Sequence, residues 1–141
     1  MCPCNRRTLL IGAAACLATP ALGGTVWTRE VFVAAAFKMQ WIAVQAGDQP
    51  YGAIVAHGVA HERGIVGHGV SRVRELGESA GHSELQAIRK AQERLGTSDL
   101  SGYVMYSTSR PCRACERAAA AAKIARMYYG RDATDAGPPS Q

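Results

Sequence analysis

After position 16 the chain holds only two cysteines, Cys112 and Cys115. Two thiols in one C-x-x-C pair cannot build the disulfide framework that staples small secreted folds. Long apolar runs are missing too. The run that opens at Leu9 ends at Ala18 and is rich in alanine, short of the roughly 18–20 residues a membrane span needs. Cationic excess is modest. The formal charge is +5, but Arg6 and Arg7 lie in the N-terminal segment, leaving 14 basic against 11 acidic residues. That balance gives little support to a nucleic-acid surface, which needs a clustered basic face. Internal repeats are absent, and 141 residues point to one domain. With 48% hydrophobic residues, that domain can bury a modest core.

The first 23 residues stand apart. Arg6-Arg7 directly precedes the apolar run, and Ala21-Leu22-Gly23 offers a small-x-small cleavage pattern. The arrangement resembles a twin-arginine export signal. Used as such, it places the protein outside the cytoplasm; otherwise the protein is cytoplasmic. An uncleaved segment, or a lipid on Cys16, would make the only membrane contact. Export of an already folded protein also suits a site whose metal is loaded beforehand.

Residues 24–131 carry the folded-domain signals. Thr28 to Ala46 reads as a helix, with Val31, Ala34, Ala35, Lys38, Met39, Ile42 and Ala43 on its inner face. Gly47 and Pro50 end it. Tyr51 to Ala56 and Gly64 to Val70 read as a hairpin of strands, the second glycine-rich and weak. Arg72 to Ala80 reads as a charged loop. His82 to Leu95 is a helix with Leu85, Ile88, Ala91 and Leu95 on one face, stopped by Gly96. A strand over Leu100 to Thr108, a helix over Cys112 to Lys123 and a strand over Ile124 to Tyr129 follow. Asp132 to Gln141 reads as a disordered polar tail. The order is that of an α/β layered fold with helices on the sheet faces.

Two clusters carry chemistry. His82-Ser83-Glu84 gives H-x-E, and Pro111-Cys112-Arg113-Ala114-Cys115 gives P-C-x-x-C. Both fall at predicted helix starts, where exposed N–H groups and the helix dipole favour thiolate. Cys112 and Cys115 are three apart and share one side of the first turn. His82, Cys112 and Cys115 thus supply three soft or borderline ligands for one zinc ion per subunit, with water in the fourth position. Zinc lowers the pKa of such a water, and Glu84, two residues from a ligand, can move the proton. A redox pair is the alternative for the C-x-x-C alone. A closed structural site would need a fourth protein ligand. His57, His61 and His68 are the other histidines, and His68 is the best candidate among them.

This pairing of clusters is the signature of zinc-dependent nucleobase deaminases. From about Trp27 to Gly137 the chain resembles the cytidine/deoxycytidylate deaminase superfamily, in the branch of guanine, cytosine and tRNA-adenosine deaminases. The matching text is Gly47 to Val55, His82-Ser83-Glu84 with Ala87-Ile88-Arg89, Leu100 to Tyr103, Tyr106-Ser107-Thr108, Pro111-Cys112, Cys115, and Ile124 with Tyr128-Tyr129-Gly130. The resemblance implies a three-layer α/β/α sandwich around a mixed sheet and often a homodimer. It implies hydrolytic deamination of a purine or pyrimidine base or nucleoside, with hydroxide on zinc attacking the amino-bearing carbon and Glu84 shuttling protons. Substrate contacts are expected from Tyr51, Gly52, Ala53, Ser71, Ser83 and Ser109. A tRNA adenosine deaminase and a non-catalytic zinc module are the competing functions.

Three departures qualify it. Ser71 stands where the family has a substrate-contacting Asn. Ser83 replaces the usual Ala. The family continues past the Tyr-Gly strand with a helix, often a fifth strand and a closing segment, so the fold is expected to be C-terminally shortened, with the strand ending at Tyr129 left as an open edge.

Overall fold

The computed structural model describes residues 26–58 and 64–141. The signal-like segment and His61 lie outside the described residues. The element order is α1 (Arg29–Gln45), β1 (Gly52–His57), β2 (Ile65–Val70), α2 (Val73–Leu76), α3 (Ser83–Leu95), β3 (Tyr103–Ser107), α4 (Arg113–Ala121), β4 (Arg126–Tyr129) and β5 (Thr134–Gly137). Five strands form one mixed sheet in the order β2-β1-β3-β4-β5. Only β3 and β4 run parallel, with α4 in the connection between them; the other neighbours are antiparallel.

Side chains alternate across a strand, so the central β1 feeds two cores. Ala53 and Val55 face α3 and α4, packed with Ala87, Ile88, Ala91, Met105, Ala119 and Met127. Ile54 and Ala56 face α1, packed with Phe32, Ala36, Met39 and Tyr106. The result is the expected three-layer α/β/α sandwich.

Glycine sets how close the helices come. A Cβ on Gly69 would strike the Ser83 carbonyl, and one on Gly67 the Ala87 carbonyl, so both glycines seat α3 on β2. The glycine-rich composition of β2 is a slot for the helix that carries His82 and Glu84. Gly52 does the same for α1, where a Cβ would strike the Ala36 carbonyl and the Gln40 N–H.

Four expectations need correction. The inner face of α1 is Phe32, Ala36, Met39 and Ala43; Ala34 and Lys38 are exposed and Val31 only half-buried. A helix apolar on every side gives no periodic signal for its rotation, and contact with Gly52 decides it. The charged loop contains the short helix α2. The polar tail is not disordered over Thr134–Gly137, because β5 pairs antiparallel with β4 and Arg126 binds Asp135 at 2.9 Å. For the same reason Tyr129 does not end on an open edge.

Candidate active site

The site is built where two helix starts meet. His82 is the N-cap residue of α3 and Cys112 that of α4. Neither helix start has a usual oxygen cap. Cys112 Sγ instead accepts from the Cys115 N–H at 3.4 Å, so the cap is also the ligand. Gln86 anchors the first turn of α3 by donating to the Ala80 carbonyl at 2.7 Å.

Within this frame His82 Nδ1 lies 3.3 Å from Cys115 Sγ and 3.5 Å from Cys112 Sγ, and the two sulfurs are 3.3 Å apart. Donors around a tetrahedral zinc, at about 2.3 Å for sulfur and 2.0 Å for nitrogen, sit roughly 3.5–3.8 Å from one another. The three donor atoms therefore lie within about half an ångström of the spacing such an ion sets. Two thiols and an imidazole are also the donor set zinc prefers over harder cations. Among the described residues no fourth protein ligand joins this group. His68 is on the exposed side of β2, beside Val66, Lys90, Glu93 and Arg94, and plays no part in it. His57 packs edge-on against Tyr103.

Glu84 is buried, 6% exposed. Its Oε2 accepts from Ser83 Oγ at 3.1 Å and from the Cys115 thiol at 3.7 Å. Burial pushes its carboxyl up from the ordinary range, against the pull of the α3 N–H, the Ser83 hydroxyl and His82. Burial and the neighbouring Glu84 carboxylate push the Cys115 thiol up as well. Cys112 moves the other way: burial opposes its thiolate, but donors from Cys115, His82 and the Ala114 N–H outweigh it. His82 is held up on balance, burial notwithstanding, by Glu78 and Cys112.

A cleft of about 250 Å³ opens over this cluster, lined by Gln49, Tyr51, Glu78, His82, Ser83, Glu84, Ser109, Arg110 and Cys112. Of the six expected substrate contacts, Tyr51, Ser83 and Ser109 line it. Gly52, Ala53 and Ser71 do not. Gly52 is pressed against α1, Ala53 is fully buried in the core, and Ser71 is buried with its hydroxyl donating to Asp48 at 2.7 Å. Sequence reasoning missed Gln49, Glu78 and Arg110. Arg110 directly precedes Pro111, and Glu78 stands one helical turn before His82, which are the only signals that could have found them.

Residues 27–131 match the family described as the cytidine and deoxycytidylate deaminase zinc-binding region. The chain belongs to that family. Within it, the chain is 39% identical over 66 residues to a tRNA-specific adenosine deaminase of Agrobacterium fabrum, covering 47% of this chain and 43% of that protein. It is 31% identical over 108 residues to a guanine deaminase of Bacillus subtilis, covering 76% and 67%. Among solved structures, one from work on tRNA:A34 deaminases superposes with a TM-score of 0.65 at 32% identity, over 72% of this chain and 71% of that one. The chain thus spans less than half of the Agrobacterium relative. Family membership and the donor geometry agree on a zinc site at His82, Cys112 and Cys115.

Proposed function

We propose that the protein is a zinc-dependent hydrolase that removes the exocyclic amino group of a purine base, free or in a nucleoside. The observation that carries this is the buried Glu84 carboxyl beside three convergent ligands, at the floor of a cleft large enough for one base. A zinc ion held by His82, Cys112 and Cys115 would bring the pKa of water toward neutrality and so supply a nucleophile. Glu84 would take one proton from that water and pass it to the ring nitrogen, then take the second and pass it to the departing amine, so that water is consumed and ammonia leaves. Ser83 holds the carboxyl in place through Oε2. Tyr51, 42% exposed at the mouth, offers an aromatic face to the base, and Arg110 and Gln49 offer donors to its exocyclic groups. The named substrates of the relatives, tRNA adenosine and guanine, support a purine over a pyrimidine.

Ammonia release from the zinc-loaded protein tests this against guanine, adenine, their nucleosides and a tRNA anticodon stem-loop. Turnover of a purine is expected, and Glu84→Gln should lower it at least about 10²-fold with zinc content unchanged. Equal turnover in the variant would remove Glu84 from the mechanism. The Arg6-Arg7 segment supports export as a further part of this proposal, which N-terminal sequencing of the protein from a periplasmic extract would check.

A further inference from the structure

His82 has two ring nitrogens, and the ligand geometry uses one of them. Nδ1 faces both thiols. Nε2 points the other way, to Glu78 Oε2 at 3.1 Å. The second oxygen of Glu78, Oε1, accepts from Gln49 Nε2 at 2.9 Å. Gln49 follows Asp48, whose carboxylate accepts from the N–H groups of Gln49, Val73 and Arg74. The carboxylate of Glu78 is thereby held from one side by the β1 approach loop and turned on the other side to the ligand.

An imidazole that donates from Nε2 keeps its lone pair on Nδ1. We infer that Glu78 is a positioning residue for the metal site: accepting the Nε2–H fixes both the tautomer and the ring orientation that present Nδ1 to zinc, with Gln49 holding the carboxylate in place. A carboxylate behind a ligating histidine raises the basicity of the ligand, and its loss costs on the order of 10–100-fold in metal affinity. The inference rests on the zinc-site reading above but not on any substrate or turnover. Glu78 is exposed and belongs to neither core, so its replacement addresses the site rather than the fold.

Zinc affinity of the full chain, read by competition with a chromogenic chelator, tests it together with the ¹⁵N shifts of His82 in the metal-free protein. Glu78→Ala is expected to weaken zinc binding at least about tenfold and to convert His82 from one tautomer to a mixture. Glu78→Met, which keeps side-chain length without an acceptor, should do the same and serves if the alanine variant folds poorly. Glu78→Gln, whose amide oxygen still accepts from Nε2, should restore most of the affinity and the single tautomer. Zinc affinity within twofold of the parent in Glu78→Ala or Glu78→Met would overturn the inference. So would weakened binding with the His82 tautomer unchanged. A zinc-loaded parent that releases no ammonia would sink the deaminase reading and leave this one standing.

Discussion

The two faces of the sheet are built on opposite principles. On one, α3 and α4 present charge to solvent and bring their N-terminal ends together over a cleft. On the other, α1 is the one helix among the described residues, with only Arg29, Glu30, Lys38, Gln40 and Gln45 polar among its 17 residues and with Trp41 61% exposed. Among the described residues, the α3/α4 face holds the three metal donors and the buried Glu84. The α1 face holds none, and its aromatic stack of Trp27, Phe32 and Tyr106, with centroids 5.9 and 5.4 Å apart, is packing alone. Both sides of β1 thus carry a buried core, and the metal donors lie on one side alone.

The strongest way to break this division is Cys115→Ser. Loss of a fully buried ligand is expected to abolish zinc retention and turnover and to lower the melting temperature, because metal binding is coupled to folding; zinc analysis and calorimetry read all three. Phe32→Ala strikes the other face. It should cost about 3–5 kcal/mol in denaturant unfolding while zinc content of the folded fraction stays at one per chain. Loss of zinc from that folded fraction would show that the faces are one unit. A paired test sharpens the comparison further. Gly69→Ala and Gly52→Ala each drive a Cβ into helix backbone, and each should destabilise by about 1–3 kcal/mol. Only Gly69→Ala should lower kcat and zinc affinity, since α3, unlike α1, carries Glu84 and is capped by His82.

The smallest effect concerns Asp48. Burial opposes its charge, but donors from Ser71, Gln49, Arg74 and Val73 hold its carboxyl below the usual carboxylate range. A depressed folded pKa contributes stability above the unfolded value, near 3.9, and loses it as pH falls through the folded one. The gap in melting temperature between the parent and Asp48→Asn should therefore be full at pH 6 and close as pH drops below about 4. A gap that persists at pH 2.5 would place the effect in shape rather than charge.

Legibility in the sequence divides along similar lines. The metal donors His82, Cys112 and Cys115 could be found because that role demands these residue types at this spacing. The long helices α3 and α1 could be bounded because their ends carry local chemistry: Thr28 caps α1, and Gly96 closes α3 in the left-handed conformation. The rotation of α1 could not be read, since Val31, Phe32, Val33 and Ala34 are apolar neighbours and the close approach of Gly52 to the backbone at Ala36, Met39 and Gln40 sets which face turns inward. Strand β5 was invisible because Thr134-Asp135-Ala136-Gly137 has no apolar alternation; its order comes from backbone bonds to β4 and the Arg126–Asp135 pair. The cleft walls were half legible. Gln49, Glu78 and Arg110 arrive from three separate loops, and their convergence is a property of the fold. Ser71, read as a substrate contact from its place after β2, spends its hydroxyl on Asp48 instead.

The place of β1 between β2 and β3 also governs the order in which a growing chain can fold. Its pairing with β2 is local, but Ala53 waits for Ser107 on its other edge. Until β3 leaves the ribosome, β1 and β2 form a ribbon with a bare, apolar edge, a template for pairing with other chains. Closing a long-range ladder of this kind is slower than forming a local hairpin. Cys112 and Cys115 emerge after β3, with β4 and β5 still to follow, so His82 waits for its two thiol partners until three of the five strands are made.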